Sequence, residues 1–210
     1  MAYKEAFKNV EMAITALSEK RVWLQQINTP LWLEDRSKLM QLEGVCANRY
    51  FEAWHDYPLP FPKTERRKIP PYWLHFYERN ATSRRDNRYA HDPLNAMLNF
   101  AYGVGESLLQ ACLRGLGVDV ACGVYHADKD GRDSLVYDLV EPLRPVLDRC
   151  VLTYLHTYGT SYADFLATPD GRVCLSPSYA GLLAASLTQT HEGLETIERT
   201  VKSYRCTLLT

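Results

Sequence analysis

The chain has 210 residues, 46% of them hydrophobic and 23% charged, with a formal net charge of -1. That is the composition of an ordinary soluble globular protein, one domain or two small ones. No apolar run approaches the ~20 residues of a membrane span, and the charged, amphipathic opening MAYKEAFKNVEMAITALSEK is unlike a signal peptide. Cysteines at 46, 112, 122, 150, 174 and 206 form no C-x-x-C pair, which points to reduced thiols in a cytoplasm and away from a thiolate zinc site.

In chain order, residues 2–27 carry Phe7, Val10, Ile14, Leu17 and Leu24 at helical spacing and predict a first helix. Thr29-Pro30 supplies an N-cap and a first-position proline for a second, expected to run through Leu39, Leu42, Cys46, Tyr50 and Trp54 and to stop before Pro58. Residues 57–91 hold five prolines and many charges, and are expected to form a long irregular connection. Asp92-Pro93 repeats the start signal and opens a helix over about 93–115, closed by Gly115 and Gly117. Val118 to Tyr125 reads as extended, with His126 at its end, and Ala127 to Asp133 as a polar turn around Asp130-Gly131.

Ser134 is expected to cap the next helix, with Leu135, Leu139, Leu143 and Leu147 along it. Pro142 and Pro145 interrupt its hydrogen bonds and predict a local kink. FLATPDGRVCLS reads as a β-hairpin turning at Pro169-Asp170-Gly171, followed by a last helix over about 177–205. The fold class expected is mainly α: one helical domain over 1–210, with a basic, proline-rich connection at 58–91 and a small β-hairpin near the C-terminus.

Glu106 interrupts the apolar stripe Leu98, Tyr102, Glu106, Leu109, Leu113, whose steps of three and four place it on one helical face. An unpaired carboxylate on a buried face costs several kcal/mol, so Glu106 must meet a cation, be protonated or line a cleft. His126, Asp138 and Glu141 follow, the last two three residues apart on one face. Carboxylates with an imidazole suit Mg2+ or Mn2+, ions that can polarise a phosphodiester and activate a hydroxyl. The plainer alternatives pair Glu106 with an arginine, Asp138 with Arg144, and leave His126 a satisfied loop histidine.

The segment from Lys63 to Arg88 holds eight bases and three acids, interleaved with Tyr72, Trp73, Phe76 and Tyr77. Bases with aromatics suit a phosphate backbone and its exposed bases, with Arg66, Arg67, Lys68, Arg84, Arg85 and Arg88 as the candidate DNA contacts. A solvated, proline-punctuated loop has the same composition.

Three joined motifs carry a resemblance. They are N-x-x-L-N-F-x-Y-x-x-x-E from Asn95 to Glu106, G-x-x-H-A-D from Gly123 to Asp128, and S-L-V-Y-D-L-x-E-P-L-R-P from Ser134 to Pro145. Upstream stand Leu42-Glu43-Gly44 and Tyr50-Phe51; downstream, Asp164-Phe165 leads into the hairpin and helix. Over roughly residues 39–200 the chain resembles the catalytic domain of the CRISPR-associated adaptation integrases, the nucleases that insert new spacers into CRISPR arrays.

The resemblance implies that Glu106, His126 and Glu141 bind the metal, that Asp138 is an outer or alternative ligand, and that Tyr137 and Arg144 lie near a phosphate. It implies double-stranded DNA as substrate, both a short duplex donor and a repeat-containing target, and action as a homo-oligomer, with or without a small adaptation partner protein. Family members usually open on a β-rich domain. Here the chain opens on helices, which suggests a compact form. A mobile-element integrase or branched-DNA nuclease of the same fold is the related alternative. A non-catalytic DNA-binding assembly protein is the other, against which the presence of all three ligands speaks.

Overall fold

The computed structural model describes residues 45, 47–76, 89–121, 123, 133–189, 195 and 198–202. The helices expected within 1–44, and Arg84, Arg85, Arg88 and His126, lie outside them.

Helical residues 47–52 end the second predicted helix two residues short of Trp54. The backbone then turns through Asp56, which has φ +59, into strand β1 (Tyr57–Pro58). The stretch read as irregular is partly ordered. A 3-10 turn at Pro71–Trp73 leads into β2 (His75–Phe76), which pairs antiparallel with β1, Tyr57 against Phe76 and Pro58 against His75. The prolines do not prevent this, because a two-residue ladder needs few N–H donors. What anchors the segment is aromatic burial. Trp54, Tyr57, Trp73 and Phe76 are all nearly inaccessible, and Trp54 lies 5.9 Å from Tyr50 and from Phe76 between ring centroids.

Helix α1 (Pro93–Gly115) begins as predicted: Asp92 Oδ1 accepts the Asn95 N–H at 2.9 Å, and Pro93 occupies the first position. Its buried face runs through Leu94, Met97, Leu98, Ala101, Tyr102, Gly105, Leu109 and Leu113. Gly117, at φ +74, turns the chain away after the last helical residue. The predicted extended run does not form where it is described. Residues 118–121 turn instead, with Asp119 Oδ1 accepting the Ala121 N–H at 3.0 Å, an Asx turn.

Helix α2 (Ser134–Val140) starts at the serine rather than after it. Asp133 holds the N-cap position without capping, because its carboxylate is taken by Gln110 and by Arg114, at 3.3 Å. The predicted kink appears as a 3-10 turn at Glu141–Leu143, after which α3 (Arg144–Tyr158) continues. Pro142 and Pro145 remove two donors there, so the α-ladder cannot run through. Gly159, at φ +70, closes α3. The hairpin forms as read: β3 (Phe165–Ala167) pairs antiparallel with β4 (Val173–Leu175), turning at Gly171, φ +81. Helix α4 (Pro177–Gln189) follows, and residues 198–202 are helical again. α1 packs against α2, α3, α4 and β4, which makes it the central element of a mainly helical fold.

Candidate functional site

Glu106 lies in mid-α1, one turn beyond Tyr102. Its stripe neighbours Leu98, Tyr102, Leu109 and Leu113 are buried, but Glu106 itself is only half-buried. The apolar stripe therefore meets solvent at this carboxylate. The charges it faces there come from the α2–α3 junction. Burial pushes the Glu106 carboxyl above its ordinary range, the Arg144 guanidinium pulls it back down, and the Glu141 carboxylate pushes it up. Glu106 is thus partly exposed and feels the Arg144 charge without forming an ion pair among the described residues.

Arg144 organises this corner. Its Nη1 is 3.1 Å from Glu141 Oε1, and its guanidinium carbon lies 5.2 Å from the centre of the Tyr102 ring. Asp138, the alternative partner considered for Arg144, is half-buried on α2, three residues before Glu141. Among the described residues, no three His, Cys, Asp or Glu side chains gather as a cation-holding group; His126 lies outside those residues.

The donors that are described fit a hard divalent cation. Glu106 and Glu141 come to this corner from two elements, half-shielded from water, and the Glu141 charge disfavours that of Glu106. A divalent ion between them would relieve both burial and repulsion. These two could hold it, with Asp138 on α2 as the outer or alternative ligand.

Asp148 was not among the candidates, yet it supports them. It is 1% exposed, and its two oxygens accept the hydroxyls of Tyr50 and Tyr102, each at 2.6 Å. Tyr50 belongs to the helical stretch 47–52, Tyr102 to α1 and Asp148 to α3, so one carboxylate ties three segments beneath Arg144. The signal was present in the sequence: Asp148 interrupts Leu147, Val151, Leu152 and Leu155 on α3 as Glu106 interrupts α1.

The basic segment divides on inspection. Lys63, Arg66, Arg67 and Lys68 are all exposed on the turns over 63–68, and none pairs with an acid among the described residues. The acid in their midst is turned aside: Glu65 Oε2 accepts the Tyr162 N–H at 2.8 Å. Two of the four interleaved aromatics are core instead. Trp73 and Phe76 are buried, because the strand β2 and the turn before it face inward, whereas Tyr72 stays half-exposed. Tyr77 lies outside the described residues. Among the described residues no helix is long and apolar enough to cross a membrane.

Known proteins align with this arrangement. A family model described as CRISPR associated protein Cas1 matches residues 1–189. Over 153 residues the chain is 33% identical to the CRISPR-associated exonuclease Cas4/endonuclease Cas1 fusion of Rhodospirillum rubrum, covering 72% of this chain and 24% of that one. Two solved structures share the fold. A Cas1 protein from Thermotoga maritima superposes with a TM-score of 0.62 at 16% identity, covering 96% of this chain and 62% of that one. A casposase bound to integration product gives 0.60 at 21%, covering 94% and 55%. The chain spans less than half the length of the curated relatives it matches. With the family match running across α1, the α2–α3 junction and the hairpin, the chain belongs to the Cas1 family of CRISPR-associated proteins.

Proposed function

We propose that this chain is a metal-dependent DNA integrase and endonuclease that inserts short duplexes at repeat boundaries of a CRISPR array. The observation that carries the reading is the half-open corner between α1 and the α2–α3 junction, where the half-buried Glu106 lies in the field of Glu141. Relatives named endonucleases, and the fold shared with a casposase bound to integration product, support it.

In the reaction, the 3′-hydroxyl oxygen of the donor duplex forms a new bond to phosphorus at the target. The bond from that phosphorus to its own 3′-oxygen breaks; the attacking hydroxyl gives its proton to solvent, and the departing 3′-oxygen takes one up to become a hydroxyl. One phosphodiester replaces another, so no nucleotide cofactor is consumed. Glu106, Glu141 and His126 would hold a Mg2+ or Mn2+ ion, whose chemistry is to acidify the hydroxyl and stabilise charge on the phosphate. Arg66, Arg67 and Lys68 bind backbone phosphates away from the reacting bond. Joining both strands requires two such sites, hence at least a dimer.

A strand-transfer assay tests this. Purified protein, Mn2+, a labelled short duplex and a supercoiled plasmid carrying a repeat should give label on the plasmid, abolished by EDTA and by Glu106→Ala. Duplex binding should survive both treatments. Full transfer by Glu106→Ala would refute the assignment, and label spread without preference for the repeat would favour a general integrase over an adaptation enzyme.

A further inference from the structure

Arg144 pairs with one carboxylate of the proposed site and lies beside the helix that carries the other. Its Nη1 is 3.1 Å from Glu141 Oε1, and the ring it covers, Tyr102, stands one turn before Glu106 on α1. Its guanidinium lies over the Tyr102 ring at 5.2 Å. That ring is fixed in turn, because its hydroxyl donates to Asp148, one turn beyond Arg144 on α3. The guanidinium is therefore placed by a packed frame. One of its donors is unused: the Arg144 Nε–H is buried and has no hydrogen-bond partner among the described residues. A buried donor left unpaired is costly, and each such case calls for an explanation.

We propose that Arg144 is the internal counter-cation of the Glu106–Glu141 pair, which gives up Glu141 to an arriving divalent ion and turns its freed guanidinium to a DNA phosphate. This rests on the metal-dependent reading above. Two cations compete for one carboxylate, so in the absence of DNA the arginine weakens metal binding. A phosphate that accepts the released guanidinium offsets that loss. Metal and DNA then favour each other's binding, by the same factor in both directions. The planar fork of arginine suits both roles, since it matches carboxylate and phosphate alike.

The test measures Mn2+ affinity by calorimetry at pH 8, without and with a short duplex, for wild type, Arg144→Ala and Arg144→Lys. Without DNA, Arg144→Ala should bind Mn2+ about tenfold more tightly than wild type, since a cation beside the site is gone. Its gain in Mn2+ affinity on adding DNA should shrink, and its strand transfer should fall. Arg144→Lys keeps the charge and should stay near wild type in Mn2+ affinity without DNA. A residue with a merely structural role would loosen the metal on removal, so equal or weaker Mn2+ binding by Arg144→Ala would overturn the inference. Should the alanine variant fail to fold, Arg144→Gln keeps the bulk and carries the same expectation. Wild type that binds no Mn2+ would overturn the metal reading itself; wild type that binds it, without tightening in Arg144→Ala or Arg144→Gln, would overturn this inference alone.

Discussion

Asp148 is where the frame beneath the site can be broken most directly. Its carboxylate is 1% exposed and accepts the Tyr50 and Tyr102 hydroxyls at 2.6 Å each. Asp148→Ala leaves both buried hydroxyls without that acceptor, at about 1–3 kcal/mol each, so the loss should be about 2–6 kcal/mol. For a chain of this size each kcal/mol moves the melting temperature by about 2–4 °C, giving a fall of about 4–24 °C. Asp148→Asn keeps an acceptor and should lose roughly half as much. Urea titration and thermal melts measure both.

The Tyr50 arm gives an independent reading through pH. Burial, then the Asp148 and Tyr102 charges, push the Tyr50 hydroxyl above its ordinary 10.0. The folded state therefore keeps a proton that the unfolded state loses above about pH 10. Stability from this group is complete below that pH and declines as pH rises through it. Tyr50→Phe should flatten the decline while costing about 1–3 kcal/mol at neutral pH. Asp148→Ala within 1 kcal/mol of wild type, or an alkaline limb unchanged by Tyr50→Phe, would refute the reasoning.

Three further outcomes follow from the geometry. Replacing Arg66, Arg67 and Lys68 together with alanine should lower the slope of log affinity against log salt by about 2–3 for a DNA duplex, with no change in melting temperature, because all three are exposed. Glu106→Gln should abolish strand transfer yet melt no lower than wild type in EDTA, since it removes a half-buried charge that Glu141 opposes. Asp92→Ala removes the cap of α1 and should cost about 0.5–2 kcal/mol in chemical denaturation, the cap accepting the Asn95 N–H at 2.9 Å.

Signals confined to one helix or one turn were readable in the sequence. Asp92-Pro93, the α1 stripe and Pro169-Asp170-Gly171 each encode their geometry within a few residues, and each formed as read. What failed depended on contacts from elsewhere. Ser134 looked like a cap, but it is the first residue of α2, and Asp133 before it makes no cap because Gln110 and Arg114 engage its carboxylate from α1. Trp73 and Phe76 looked like stacking platforms beside bases, but the β1–β2 pairing turns them into the core. Composition reports neither partner. Glu106 was legible as an anomaly and Arg144 as a neighbour, while the Tyr50–Asp148–Tyr102 tie, spanning 98 residues between Tyr50 and Asp148, was not.

The corner that unites Glu106 and Glu141 depends on a residue with no side chain. A Cβ built on Gly105 would stand 2.7 Å from Leu147 Cδ1, so alanine there fits only if the Leu147 side chain or α3 behind it gives way. Glu106 is the next residue, and Arg144 lies one turn before Leu147 on α3. Gly105→Ala would gain about 1 kcal/mol of helix propensity against a packing cost of about 1–3 kcal/mol. Because the obstructing atom is a methyl at the end of a side chain, stability should change little. The displacement falls instead on the spacing of α1 and α3, and a shift of about 1 Å near reacting groups can cost about 100-fold in rate. Gly105→Ala should therefore lose strand transfer and Mn2+ affinity far beyond its loss of stability. Leu147→Val in the same chain, by shortening the obstructing side chain, should restore part of both. Wild-type transfer and Mn2+ affinity in Gly105→Ala would show that the carboxylate pair does not depend on this close approach.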